Sequence, residues 1–210
     1  MQMPLLNPER EVRLLVSASG NEYSGTVLSG VNNGLCVFFC EAQEVTFSGE
    51  WKDHTMDGVG VFEAHGDTYC GQTREGEQEG LGVAEYAIGI KYYGYFTGGK
   101  AEGSGVREYA NGMKYSGEWR GGKKEDFGVY QFSDGNAYFG EWSAGKRHGQ
   151  AVFELLSGAK TFERWERDKR ISAVLFDESK QEHASILKAA QGARVRLTPS
   201  VLARPCSYVL

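Results

Sequence analysis

The stretch Tyr115-Ser-Gly-Glu-Trp-Arg-Gly-Gly-Lys-Lys124 is answered further along the chain by Tyr138-Phe-Gly-Glu-Trp-Ser-Ala-Gly-Lys-Arg147. The two segments stay in step for their whole length, so the chain copies itself. Working outward with the aromatic as position zero, the aromatic/glycine pair recurs as Tyr23/Gly25, Phe47/Gly49, Tyr69/Gly71, Tyr92/Gly94, Tyr115/Gly117 and Tyr138/Gly140. The spacings are 24, 22, 23, 23 and 23 residues. Self-similarity at a fixed period means a repeat array, and it settles the architecture before any isolated motif is weighed.

The rest of the unit is as regular. Position four carries Trp51, Phe96, Trp119 and Trp142, and a degraded seventh start at Thr161 keeps Trp165 there. Position eleven is Gly34, Gly58, Gly80, Gly103 and Gly149, with Asp126 the exception. Position thirteen is Gly60, Gly82, Gly105 and Gly128, with Cys36 and Ala151 at the ends, and position fourteen is valine from Val37 to Val152.

Side chains alternate along a strand, so positions zero, two and four share one face. Tyr115 and Trp119 therefore point the same way with Gly117 between them, and bare glycine backbone lets a flat ring lie across it. A second strand covers positions twelve to seventeen, where Phe38, Phe62, Tyr86, Tyr109, Tyr130, Phe132 and Phe153 alternate with Glu63, Glu85, Glu108 and Glu154. Asn111-Gly112 and Asp134-Gly135 supply the positive φ of a tight turn into the next unit. Each unit is thus a β-hairpin. Six give twelve strands and a ribbon of roughly 60 Å.

This unit resembles the MORN repeat (membrane occupation and recognition nexus), whose pattern is similar to Tyr-x-Gly-x-Trp, a loop, then Gly-x-Gly and aromatics. The resemblance covers residues 23 to about 165, and Thr73 with the acidic loop Glu75-Gly-Glu-Gln-Glu79 departs from it. It implies an all-β, elongated, single-layer antiparallel sheet. The division expected is 1–22 as an N-terminal segment with a leading strand, 23–170 as six repeats plus the degraded seventh, and 171–210 as a C-terminal cap. Ser179-Lys-Gln-Glu182 reads as a capping box. His183, Ile186, Leu187 and Ala190 follow at helical spacing, which predicts a short helix over about 179–191 with Gly192 as its stop. Similar small MORN proteins fold such a helix back onto the sheet.

Composition narrows the function. A net charge of -5 argues against nucleic acid as a partner, because phosphate binding needs a basic surface. Met1 to Arg10 lacks the basic start and apolar core of a signal peptide, and no apolar run is long enough to span a bilayer. Cys36, Cys40, Cys70 and Cys206 make no disulfide framework for a chain of this size, which favours a reducing, cytoplasmic setting.

Isolated motifs yield little chemistry. Gly58-Val-Gly60, Gly80-Leu-Gly82 and Gly103-Ser-Gly105 open strands, whereas a dinucleotide loop opens a helix. Cys36 and Cys40 have no partner pair at zinc spacing, and the four histidines are scattered. His148 reads as a solvated loop residue. Some MORN proteins carry an attached lipid kinase or methyltransferase domain, for which the residues after the last repeat are too few. The expectation is a non-enzymatic protein without cofactor or metal.

The aromatic row is the sharpest feature. A one-layer sheet cannot bury both faces, and aromatics with a polar rim hold an amphipathic helix or peptide. Tyr92, Phe96, Tyr115, Trp119, Tyr138 and Trp142 are expected to line one concave strip, with Tyr109, Tyr130, Phe132 and Phe153 beside them. The leading expectation is a scaffold or adaptor holding a protein partner there, in cytoskeletal or ciliary assemblies as in similar proteins. The alternatives are a phosphoinositide-binding membrane tether contacting lipid weakly through Lys123, Lys124, Lys146 and Arg147, and a homodimeric strut joined through terminal strands or the helix.

Overall fold

Described by a computed structural model over residues 10–194, the chain is one open antiparallel sheet of 15 strands laid down in sequence order, plus one helix. A leading strand, β1 (Arg10–Val16), is followed by seven hairpins. These are β2 (Glu22–Leu28) with β3 (Val31–Cys40), β4 (Val45–Lys52) with β5 (Thr55–Ala64), and β6 (Asp67–Arg74) with β7 (Glu77–Tyr86). Then come β8 (Ile90–Thr97) with β9 (Lys100–Glu108), β10 (Lys114–Arg120) with β11 (Lys123–Gln131), β12 (Ala137–Ser143) with β13 (Lys146–Glu154), and β14 (Lys160–Glu166) with β15 (Lys169–Leu175). The degraded start at Thr161 is thus a full seventh hairpin, and the apolar run after Ile171 is mostly its second strand.

Two kinds of turn join the strands. Within hairpins, both central residues have positive φ, as at Gly98-Gly99, Gly121-Gly122 and Ala144-Gly145. These are the tight two-residue turns whose twist matches that of flanking strands. In the connections that follow β9 and β11, Gly112 and Gly135 are the left-handed residues; Gly112 N–H donates to Tyr109 O and Tyr109 N–H to Met113 O. That is a three-residue connection ending in a glycine bulge, so Asn111 and Asp134 do not take the positive φ expected from their dipeptides.

A register shift after Gly117 and its equivalents Gly25, Gly49, Gly71, Gly94 and Gly140 explains position eleven. The extra residue on the facing strand sits in the left-handed region, with Gly58 at φ +125 and Gly103 at φ +65, and Asp126 adopts it too at φ 52. At three bulges the side chain at position three accepts the N–H of position twelve: Glu50 from Val59 at 2.8 Å, Gln72 from Leu81 at 2.9 Å, and Glu141 from Gln150 at 2.8 Å.

The helix, α1 (Gln181–Gly192), lies on β11, β12 and β13. It buries His183, Ile186 and Ala190 and shares a core with Val129, Phe139 and Val152. Those residues face away from the tyrosine–tryptophan row, so the helix covers the opposite side of the sheet. His183 stacks on Phe162 at 4.1 Å and accepts Asp177 N–H at 3.0 Å. The expected capping box does not form. Lys180 is the N-cap, the Ser179 hydroxyl donates to Asp177 at 2.7 Å, and Glu182 accepts from the Gln150 amide. Gly192 closes the helix as its last residue, followed by Ala193 in right-handed conformation.

Cys36 and Cys40 are buried and free. Cys206 lies outside the described residues.

Candidate partner-binding face

The aromatic face is assembled from a unit that the sequence pattern requires to be glycine-rich. Tyr115 lies over the cross-strand pair Gly117 and Gly128, and a Cβ built on Gly128 would meet its ring at 2.5 Å. Its hydroxyl donates to the carbonyl of Glu118 at 3.0 Å, as Tyr92 does to Tyr95 at 3.0 Å and Tyr138 to Glu141 at 2.8 Å. The ring at position four then stands edge-on between the tyrosine of its own strand and that of the preceding repeat. Trp119 lies 5.1 Å from Tyr115 and 5.3 Å from Tyr92, and Trp142 lies 5.2 Å from Tyr138 and 5.3 Å from Tyr115. Perpendicular rings at this distance are the favoured arrangement of two quadrupoles. From Tyr69 to Trp165 this chain of rings is continuous and ties each hairpin to the next.

A family model described as "MORN repeat" matches residues 47–64, 69–91, 92–114, 115–137 and 138–159. The chain belongs to the MORN-repeat family. The match starts at the second hairpin unit, so the Tyr23 copy with Cys36 at its glycine position lies outside it. No curated protein sequence matches the chain. Among solved structures, the chain is similar to the SAS-4 (dCPAP) TCP domain of Drosophila melanogaster, solved in complex with a proline-rich motif of Ana2 (dSTIL). That match has 12% identity, 83% of this chain, 94% of that one and a TM-score of 0.38. It is also similar to the CPAP G-box domain, with 11% identity, 78% of this chain, 98% of that one and a TM-score of 0.26.

The ten aromatics expected at the site do gather on one face of the MORN sheet, but at two depths. Tyr92, Tyr115 and Tyr138 have no exposed surface, and Phe96, Trp119 and Trp142 are buried above them. Tyr109, Tyr130, Phe132 and Phe153 pack against that row half-buried and present the accessible ring surface. Burial holds the Tyr69, Tyr92, Tyr115 and Tyr138 phenols well above their ordinary range, because a phenolate there would lose its hydration.

The four basic residues expected to touch lipid do not share one surface. Lys123 and Lys146 are exposed, whereas Lys124 and Arg147 turn onto the rings. The Lys124 ammonium lies 4.0 Å from the Trp142 ring and 4.7 Å from that of Tyr130, and the Arg147 guanidinium lies 3.8 Å from Trp165. Arg107 covers Trp119 at 4.3 Å. Desolvation pulls Lys124 down to about 8, with Asp168 opposing and Arg107 and Arg147 reinforcing the shift. Burial works to raise Asp168, but the Arg147 backbone N–H and guanidinium outweigh it and hold that carboxyl below its usual range.

Two hollows open on this face. One, of about 200 Å³, is lined by Lys124, Tyr130, Phe132, Trp142, Arg147 and Asp168 among others. The other, of about 250 Å³, lies between Met56, Phe62, Tyr69, Thr73 and Gln78 at the third repeat.

Position ten has a role that its charge alone does not reveal. The carboxylates of Asp57, Glu79, Glu102 and Glu125 accept the first turn N–H of the next repeat, at Glu75, Gly98, Gly121 and Ala144. The second turn N–H donates to the carbonyl of position nine, as Gly122 does to Ala101 and Gly145 to Lys124. The recurrence of an acid at position ten, as Asp57, Glu79, Glu102 and Glu125, is the signal in the sequence that points to this role.

Proposed function

We propose that the chain is a non-enzymatic scaffold or adaptor holding a helix or peptide of a partner protein along the aromatic face. The observation that carries this reading is the half-buried rim of Tyr109, Tyr130, Phe132 and Phe153 beside a hollow edged by Lys124 and Arg147. Aromatic surface flanked by charge is the composition of partner-binding hot spots. Helix α1 lies on the opposite face and leaves this one uncovered by it. A cytoskeletal or ciliary setting follows from the family resemblance. The test compares Phe132→Ala and Tyr130→Ala with the fully buried Tyr115→Ala in proximity labelling and pull-down. The reading expects the rim variants to stay folded and lose their partners; if they keep every partner, the face is not the binding surface.

A second reading, the homodimeric strut, is favoured by the two terminal strands. Val12, Leu14 and Val16 on β1 and Ile171, Val174 and Leu175 on β15 are exposed, and each strand pairs on one side only among the described residues. Sedimentation of the full chain across a concentration series tests it, since edge pairing predicts a dimer lost on Val174→Lys. Lipid tethering is the weaker reading, because Lys124 and Arg147 are drawn onto rings.

A further inference from the structure

The repeat itself shows what is missing from the third hairpin. Position four carries a ring in the second and fourth to seventh repeats, at Trp51, Phe96, Trp119, Trp142 and Trp165. In the third it is Thr73, whose hydroxyl donates back to Gly58 O at 3.3 Å. Tyr69, beneath it, is met from one side by Phe96 at 5.2 Å. On the other side lies the hollow of about 250 Å³, walled by Phe62, Met56 and Gln78. It occupies the place where the other repeats set an indole or phenyl edge-on to a tyrosine.

The far end of the row shows a second vacancy, this time electrostatic. Neither Lys124 nor Arg107 makes an ion pair with any described carboxylate, and Arg107 Nε is buried without a partner. Trp119 and Trp142 are 3% and 5% exposed, and their indole N–H groups are also unpartnered. An unmet buried donor carries a desolvation cost that a ligand acceptor removes. The seventh repeat displays the acceptor that suits this row. There Glu163, standing where all six other repeats have glycine, accepts from Trp165 Nε1 at 2.9 Å and from Arg170 at 2.9 Å while almost wholly buried.

Resting on the peptide-binding reading above, we propose that the aromatic face takes an acidic segment that supplies the ring the third repeat lacks. Its aromatic side chain enters the Thr73 hollow, and its carboxylates lie against Lys124 and Arg107, the cations that cover Trp142 and Trp119. Charge complementarity fixes the direction, because position nine runs from Met56 and Gln78 at one end to Lys124 and Arg147 at the other. From β6 to β11 is five strand spacings, about 24 Å. That distance separates ring from carboxylate by about seven residues in an extended segment, or about sixteen in a helix.

The test is selection of a random displayed-peptide library on the full chain, with the enriched peptides resynthesised as probes. The expected peptides carry Trp, Phe or Tyr together with a Glu or Asp cluster. Their affinity should fall at least about tenfold for Thr73→Trp, which fills the hollow from within, and for Lys124→Glu, and should survive Thr73→Ser. Thr73→Trp should melt no lower than the parent; where it does, Thr73→Phe takes its place. Peptides that lose affinity with Phe132→Ala but ignore Thr73→Trp and Lys124→Glu overturn this inference and leave the binding face standing. Peptides indifferent to all four variants, or no enrichment at all, overturn both.

Discussion

At the scale of the residue, the glycines of this chain do two separable jobs. Gly128 is bare so that Tyr115 can lie on it, whereas Gly103 has open space where its Cβ would be and only a left-handed φ to satisfy. Gly128→Val should therefore cost about 3 kcal/mol by overpacking, measured by denaturant midpoint. Gly103→Ala should cost only about 1 kcal/mol of backbone strain, as Asp126 already tolerates that conformation. Equal losses would mean that the rings can move aside. Lys124 gives a pH signature of its own. Its folded-state value lies below the ordinary one, so the unfolded chain binds more protons and stability rises with pH from about 8 towards 10.5. Lys124→Met should abolish that rise in a melting-temperature series; an unchanged slope would assign it elsewhere. The tyrosine–glycine–tryptophan unit was legible in sequence because one strand face explains all three. Burial depth was not, since which ring covers which depends on the neighbouring hairpin.

At the scale of the element, α1 and the turns show where local reading ends. The apolar spacing of His183, Ile186 and Ala190 announced a helix, and the helix is there. The capping box failed because Asp177 claims Ser179 and Gln150 claims Glu182, contacts that no local pattern encodes. A stop codon after Phe176 should expose Val129, Phe139 and Val152 together. Burying side chains of this kind is worth about 1.5–3 kcal/mol each, so the truncated chain should melt well below the parent. Binding at the opposite face should persist in whatever fraction stays folded. An unchanged melting temperature would mean that the helix is only resting on the sheet. The turn ladder is subtler. Glu102→Ala should cost about 1 kcal/mol, because Gly121 N–H loses a charged acceptor yet remains open to water.

At the scale of the molecule, every described strand pairs with its sequence neighbours, and no connection among the described residues crosses over. The period made that topology readable, whereas the total is 15 strands because the leading strand adds one to the expected twelve and the seventh unit, which kept its hairpin after losing its tyrosine, adds two. Four buried phenols, those of Tyr69, Tyr92, Tyr115 and Tyr138, are held above their ordinary value of 10.0. Above that pH the unfolded chain loses protons that the folded one keeps, so stability falls as pH rises. Phenolate absorbance should appear late and together with loss of the sheet; early, gradual ionisation would contradict the burial. The serial order of the strands also has a mechanical side. The first and last strands are the two margins of the sheet, so a pull on them loads the interstrand hydrogen bonds one row at a time, like a zip, and never in parallel. Such a strip yields under small force. Each hairpin released frees about 23 residues, lengthening the tether by roughly 70 Å. Stretched between two anchors, the chain would behave as a stepwise extensible link whose resistance resides in its rings.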